Sequence, residues 1–159
     1  MPKGELVFLD TSVLLEGLIE LRRDAAALRI WRAIASGRLT GVSTAWHCCL
    51  EFYSVATRLP EEFRLSPADA LSLLEEEVLA RLEIRDLPSR SRAPLLRAAA
   101  AEGVAGGRVY DAHIGEIARV AGAAVVVTQN RRHFAPLLRH GLRVLTAEEF
   151  GVEAELTKS

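Results

Sequence analysis

Short apolar runs alternate along the chain with longer segments in which apolar residues recur every three or four positions. The runs have the length and β-branched content of strands, and the longer segments have the period of amphipathic helices. The pattern predicts strands at Leu6–Leu9, Leu39–Ser43, Glu83–Leu87, Ala124–Thr128 and Leu142–Leu145. It predicts helices at Thr11–Leu21, Ala25–Ser36, Thr44–Leu59, Pro67–Arg81, Ala93–Glu102, Tyr110–Ala121 and Arg132–Leu138.

This alternation predicts an α/β fold. Strands separated by helices favour right-handed crossovers, which produce a mainly parallel sheet covered by helices on both faces. The run Ala124–Val127 has the continuous apolar character of a central strand in such a sheet. A chain of 159 residues, half of them hydrophobic, suits one compact domain. We expect that domain to span residues 1–150 and a C-terminal tail to occupy 151–159.

Composition narrows the class of protein. Cys48 and Cys49 are adjacent in a predicted helix, where neighbouring side chains diverge, so neither a disulfide framework nor a zinc site is expected. The apolar start of the chain is interrupted by Glu5, Asp10 and Glu16, which the core of a signal peptide would not tolerate. No segment approaches membrane-spanning length. We therefore expect a cytoplasmic protein with no membrane contact.

Charge is distributed unevenly behind a formal net charge of −1. Residues 1–84 sum to −4, residues 85–143 sum to +6, and residues 144–159 sum to −3. The middle block contains ten Arg against four acidic residues, which is compatible with nucleic-acid binding. A solvated surface is the alternative interpretation, because charge along a sequence maps surface potential only indirectly.

Two acids stand where a predicted helix begins. Asp10 follows the strand Leu6–Leu9 directly, and Asp111 follows a loop that contains three glycines. An acid at such a junction can serve as a helix N-cap. It can also face the crevice that forms at the carboxyl ends of parallel strands. Both interpretations are open for each residue taken alone.

Glu51 interrupts a predicted helix that is otherwise almost without charge. A buried ionised group is costly unless it is paired or bound to a metal, and neighbouring helix positions such as His47 and Ser54 offer no strong cation. Exposure to solvent on a one-sided helix is the alternative. We favour a metal or substrate role, because charged residues rarely occupy so apolar a helix without a partner.

Together these acids indicate phosphoryl chemistry. Three carboxylates gathered at one edge of a sheet would repel one another without a cation. Carboxylates and waters are the ligands that Mg²⁺ and Mn²⁺ prefer, and these cations also bind phosphate oxygens and activate water. The acids are scattered along the sequence, however, so their spacing alone does not bring them together.

At these positions the chain resembles PIN-domain ribonucleases, especially VapC-like toxins of bacterial and archaeal toxin–antitoxin pairs. The resemblance spans nearly the whole chain, and the order and spacing of its motifs make it specific. It is carried by Leu9-Asp10-Thr11-Ser12, by Glu51 in the helix after the second strand, by Val109-Tyr110-Asp111-Ala112, and by Val127-Thr128-Gln129-Asn130-Arg131-Arg132-His133-Phe134.

The resemblance implies a three-layer α/β/α sandwich with an acidic Mg²⁺ or Mn²⁺ site, where water attacks a phosphodiester in RNA. Asp10, Glu51 and Asp111 match the three principal acidic positions and would be both catalytic residues and metal ligands. Ser12 and Thr128 match supporting hydroxyl positions. Asn130 stands where many members carry a fourth acid, which argues against a strict two-metal mechanism more than against hydrolysis with one metal.

The resemblance also implies partners. We expect a homodimer restrained by a cognate antitoxin, which would cover the acidic site and insert a basic side chain into it. RNA is the expected substrate, with Arg108, Arg131 and Arg132 as candidate contacts to it. Histidine is not needed as a base when a metal activates water, so the histidines are expected to be structural or RNA-facing. Trp31 and Trp46 are expected to pack in the core.

Two other functions stay open at this stage. A phosphatase using Asp10 as a covalent nucleophile would normally carry a second Asp two positions later, where this chain has Ser12. A catalytically weak or inactive PIN scaffold that binds RNA or a partner protein is suggested by Asn130. A trapped aspartyl phosphate would support the first alternative, and RNA binding without metal-stimulated cleavage would support the second.

Overall fold

In the computed structural model of the chain, which describes residues 4–19 and 26–156, five strands form one parallel sheet. The strands are β1 (Val7–Leu9), β2 (Val42–Ala45), β3 (Glu83–Arg85), β4 (Val125–Val127) and β5 (Arg143–Leu145). Their order across the sheet is β3-β2-β1-β4-β5, and each neighbouring pair is parallel. The predicted fold class is confirmed.

Helices connect the strands. They are α1 (Thr11–Ile19), α2 (Ala26–Ala35), α3 (Trp46–Ala56), α4 (Pro67–Leu73), α5 (Ser89–Ala101), α6 (Arg108–Val120), α7 (Arg131–Phe134) and α8 (Ala147–Glu153). A π-helical segment, Leu74–Leu79, continues α4, and a 3₁₀ segment, Ala135–His140, continues α7. The predicted end of the first helix at Leu21 and start of the second at Ala25 lie outside the described residues. None of the helices in the described ranges has both the length and the apolar character needed to cross a bilayer.

The second strand begins later than predicted. The prediction started at Leu39, but β2 starts at Val42, after Gly41 adopts φ +67°. That left-handed conformation ends the preceding turn and suits glycine, which has no Cβ to clash. The carbonyl of Gly41 accepts a hydrogen bond from the amide of Val7 at 2.9 Å, so the turn also aligns β2 with β1.

A helix that the sequence analysis did not predict, α8, crosses the expected boundary between domain and tail at residue 150. Thr146 and Glu149 cap its first turn reciprocally, and this Thr-x-x-Glu spacing is a helix start signal. Phe150 and Leu156 are buried in the main core, and α8 packs against α2. Residues 151–156 are therefore part of the packed domain, because they bury apolar side chains against it.

The order of the strands determines where a site can form. The chain goes from β1 outward to β2 and β3, then returns to place β4 on the other side of β1. Connections on opposite sides of a central strand leave a crevice at its carboxyl end, where open α/β sheets bind ligands. All three residues of β1 are fully buried. The residue after β1 therefore lies at the centre of that crevice, and it is Asp10.

Candidate active site

Asp10 is buried at the carboxyl end of β1, with only 4% of its surface exposed. Its Oδ2 accepts hydrogen bonds from the hydroxyls of Ser12, at 2.9 Å, and Thr128, at 2.8 Å. Burial raises the pKa of Asp10, and the two hydroxyls partly oppose that rise. Ser12 and Thr128 thus contact Asp10 directly, and their supporting role in the chemistry stays a prediction.

Glu51 approaches the same region from α3 and is half-buried. The hydroxyl of Thr11 donates to Glu51 Oε1 at 3.1 Å, and His47 Nε2 lies 3.6 Å from the same oxygen, one helical turn earlier. Burial raises the pKa of Glu51, and the negative charges of Asp10 and Asp111 raise it further. The nearby imidazole of His47 is a partner that the sequence analysis did not assign.

Asp111 lies in the first turn of α6 and is half-buried. Its Oδ2 is 3.0 Å from Nδ1 of His133 in α7. The charge of Asp111 raises the pKa of both Asp10 and Glu51, so the three acids lie within electrostatic reach of one another. The structure therefore places all three at one end of the sheet, on three separate elements.

Each acid is engaged by a neighbouring protein side chain, namely a hydroxyl or an imidazole. Across residues 4–19 and 26–156, no group of three or more His, Cys, Asp or Glu side chains is gathered closely enough to hold a metal ion. The donor chemistry nevertheless fits a hard cation, because burial raises the pKa of Asp10 and of Glu51, and a nearby positive charge would stabilise their ionised oxygens.

Gln129 is a structural member of the site that the sequence analysis did not identify. Its backbone NH donates to Ser12 Oγ at 3.0 Å. Its side-chain Nε2 donates to Glu16 at 2.6 Å, and its side-chain Oε1 accepts from the backbone NH of Ala147 at 3.1 Å. These bonds join α1, the end of β4 and the start of α8. They fix the hydroxyl of Ser12 that contacts Asp10.

Asn130, the position of the absent fourth acid, is exposed. Its backbone NH donates to Thr128 Oγ1 at 3.0 Å, which leaves the Thr128 hydroxyl hydrogen for Asp10. The side chain of Asn130 does not cap α7. Asn130 therefore supports Asp10 through its backbone and through Thr128.

The three arginines proposed to contact RNA occupy two different environments. Arg108 and Arg132 line a groove of about 190 Å³ that also includes Asp111 and has an apolar floor with Phe134 and Leu137. Arg131 forms an ion pair with Glu149 at 3.2 Å, across to the first turn of α8. We refer to the first feature as the arginine groove. Arg131 is not among its lining residues.

A second groove, of about 520 Å³, lies on the Glu51 side of the site. We refer to it as the aromatic groove, because Trp46 and Tyr110 line it together with His47, Glu51 and His113. The expectation that both tryptophans pack in the core holds for Trp31, which is 5% exposed, and is wrong for Trp46, which is 45% exposed. Trp46 starts α3 at the rim of the sheet, outside the apolar core.

The chain is similar in sequence to known proteins along most of its length. The sequence model of the PIN domain matches residues 6–132. The chain is 36% identical over 138 residues to ribonuclease VapC27 of Mycobacterium tuberculosis, a match that covers 87% of this chain and 94% of that protein.

Solved structures share the fold at lower identity. PAE2754 from Pyrobaculum aerophilum superposes with a TM-score of 0.62 at 21% identity, covering 95% of this chain and 97% of that one. VapBC2 from Rickettsia felis, bound to a DNA fragment from its promoter, gives 0.62 at 17% identity, covering 89% and 98%. FitAcB from Neisseria gonorrhoeae gives 0.58 at 18% identity, covering 90% and 99%.

Proposed function

Because the chain belongs to the PIN-domain family, we propose that it is a Mg²⁺- or Mn²⁺-dependent endoribonuclease, the toxin of a VapBC-like toxin–antitoxin pair. Its similarity to a ribonuclease along 87% of its length supports this activity. The observation that carries the proposal is the environment of Asp10. A buried carboxylate held by two hydroxyls at the carboxyl end of the central strand is suited to binding a cation and a water.

The chemistry divides among the three acids. Asp10, Glu51 and Asp111 would hold the cation, which would supply electrophilic stabilisation of the phosphate and lower the pKa of the attacking water. Asp10 or Asp111 would orient the attacking water and accept its proton, with no covalent bond to the protein. The Thr128 and Ser12 hydroxyls fix the orientation of Asp10. Asn130 adds no charge for a second cation, which favours a single-metal reaction.

The arginine groove would hold the RNA backbone beside Asp111. Arg108 and Arg132 can contact phosphate oxygens there, since guanidinium groups bind phosphate in a bidentate manner. Arg131 lies outside this groove and is paired with Glu149, so we assign it a secondary role in RNA binding.

The direct test is to incubate the protein with a mixed cellular RNA pool, with and without divalent metal, and to map newly formed ends. Asp10→Asn should abolish the metal-stimulated ends while the protein stays folded. Asp69→Asn changes an exposed acid in α4 in the same way and should cleave like the wild type. RNA that is bound but never cut, under varied Mg²⁺ and Mn²⁺, would replace hydrolysis with a binding function.

Regulation would come from an antitoxin acting on a cytoplasmic homodimer. Trp46, Leu50 and Tyr53 are exposed by 45%, 55% and 39%, and their spacing places them on one face of α3. An amphipathic segment could dock there while an Arg or Lys competes with the cation for the acids. Co-expression with the product of the neighbouring gene, followed by ribonuclease assays of the free and complexed protein, tests this. Equal activity in both states would refute inhibition through the site.

A further inference from the structure

The aromatic groove contains the acid Glu51 and two exposed aromatic rings. Glu51 is part of its lining, and Trp46 and Tyr110 border it with 45% and 57% of their surfaces exposed. Large aromatic side chains usually bury their area in the core or in an interface, because their exposure to water is costly. Two such rings beside one catalytic carboxylate therefore point to a ligand with an aromatic or apolar face.

The ring of Tyr110 is supported from behind although it is exposed. His47 packs against it edge to face, with ring centroids 5.6 Å apart and an interplanar angle of 66°. His47 is held in turn by His113, whose Nδ1 lies 2.7 Å from Nδ1 of His47. One imidazole NH must donate to the other nitrogen at this distance, so both rings have fixed orientations. Tyr110 is thus a positioned surface.

The charges of the aromatic groove differ from those of the arginine groove. Its charged lining residues are Glu51, Asp86 and Arg58, so acids outnumber the single arginine. Such a surface does not favour a row of phosphates. The arginine groove on the Asp111 side has three arginines and three acids in its lining, and Arg108 and Arg132 can contact phosphate oxygens there. A ligand that spans both grooves would place its anionic backbone along the arginines and an uncharged aromatic group against Tyr110 and Trp46.

We propose, on the basis of the proposed function, that the aromatic groove binds one unpaired nucleobase of the RNA substrate by stacking on Tyr110 and Trp46, next to the phosphodiester that is cut. A protein segment in this groove, such as the proposed antitoxin, would cover Glu51 and block cleavage, so the occupant during catalysis is the substrate. Stacking needs a base that is free of its helix, so the substrate is single-stranded RNA or a loop.

Binding is measured with the Asp10→Asn protein, which separates it from cleavage. The probes are a short unstructured oligoribonucleotide and an abasic oligomer of the same length and charge. Removing a stacking ring weakens binding by about 5- to 150-fold, so Tyr110→Ala should lose that much affinity for the first probe. Tyr110→Phe keeps the ring and should bind normally. The abasic oligomer should bind weakly to all of these proteins.

Tryptophan emission gives a second readout. The chain has two tryptophans, of which Trp31 is buried and Trp46 exposed, so quenching by RNA reports on Trp46. Trp46→Phe should lose the quenching and keep most of the affinity. Unchanged emission at saturating RNA, or equal affinity for the abasic oligomer, would overturn the proposal and leave the groove to a protein partner.

The two proposals fail in different ways. If the wild-type protein cleaves RNA with metal but Tyr110→Ala binds as tightly as Tyr110→Phe, the base subsite is refuted and the nuclease stands. If quenching depends on the bases but no metal-stimulated ends appear, the subsite is supported and the hydrolase is refuted. Circular dichroism of Tyr110→Ala checks the fold, which a substitution at an exposed position should leave intact.

Discussion

Thr128→Val tests whether the hydroxyls around Asp10 are part of the catalytic machinery. Valine has nearly the shape of threonine, so the change removes the donor to Asp10 Oδ2 at 2.8 Å and the acceptor for the Asn130 amide at 3.0 Å with little change in volume. Thr128 is fully buried, so no water can take the place of its hydroxyl. Asn130 is exposed, and its backbone NH can donate to water instead.

The magnitude follows from the lost charge-assisted bond. A hydrogen bond to a charged group is worth about 1.5–3 kcal/mol. Residues that orient a metal ligand typically change activity or metal affinity by about 10- to 100-fold when they are removed. We therefore expect metal-dependent kcat/KM to fall by about 10- to 100-fold in Thr128→Val. Thr128→Ser, which keeps the hydroxyl, should stay within a few-fold of the wild type.

The variant should also change the pH dependence. Burial raises the pKa of Asp10, and the Thr128 hydroxyl opposes that rise, so its loss raises the pKa further. Asp10 must be ionised to bind a cation, so the acidic limb of the rate profile should move to higher pH. In the metal-free protein, a raised native pKa means that stability is lost as pH increases through that pKa. Thr128→Val should deepen this loss.

A matched control is available on the next strand. Thr44 is also fully buried, and its hydroxyl donates to the carbonyl of Leu9 at 2.7 Å. Thr44→Val should reduce the free energy of unfolding by about 0.5–1.5 kcal/mol without moving the acidic limb, because it touches no carboxylate. The reasoning is refuted if Thr128→Val and Thr44→Val have the same pH–rate profile.

Three further predictions follow from single contacts. Asp10→Asn should raise the melting temperature of the metal-free protein at neutral pH, because burial penalises the ionised form of Asp10. It should not do so at pH values well below the ordinary pKa of Asp, where the side chain is protonated. Differential scanning fluorimetry at both pH values decides this. Arg108→Ala and Arg132→Ala should each weaken RNA binding and reduce the slope of log affinity against log salt concentration by about 1. Arg131→Ala should change that slope less, because Arg131 is paired with Glu149. Equal slopes for all three variants, in titrations at several salt concentrations, would contradict this. Gly17→Ala should destabilise the fold by about 1–3 kcal/mol in denaturant titrations, since its Cβ would lie 3.2 Å from the Ala27 carbonyl oxygen and 3.3 Å from the Trp31 ring; wild-type stability would mean that α1 and α2 separate easily.

The fold could be predicted from the sequence because local signals agree with the topology. Val125–Val127 is buried on both faces, as its continuous apolar run indicated. The start of β2 was missed because Leu39 is apolar and buried, as a strand residue would be, although it lies before the strand. The turn at Gly41 separates Leu39 from β2. The helix α8 was missed although Thr146 and Glu149 carry a start signal.

The site could be predicted only in part. An acid directly after a buried strand, such as Asp10, is visible in the sequence, and so is a lone acid in an apolar helix, such as Glu51. The bonds that hold them are not visible. Thr11 and Glu51 are 40 positions apart, and Gln129 and Glu16 are 113 apart. The order of the strands in the sheet brings these residues together, and no local pattern of residues specifies that order.

The arginine-rich block shows how charge along a sequence differs from charge available to a ligand. Arg131, Arg139 and Arg143 form ion pairs with Glu149, Glu102 and Glu5 at 3.2, 3.0 and 2.8 Å. The first two pairs are exposed and the third is part-buried, and each one offsets a positive charge that the sequence places in the block. Arg108 and Arg132 line the groove beside Asp111. The positive field that reaches a phosphodiester at the acids therefore depends on a few positions on α6 and α7, and the net charge of the block overstates it.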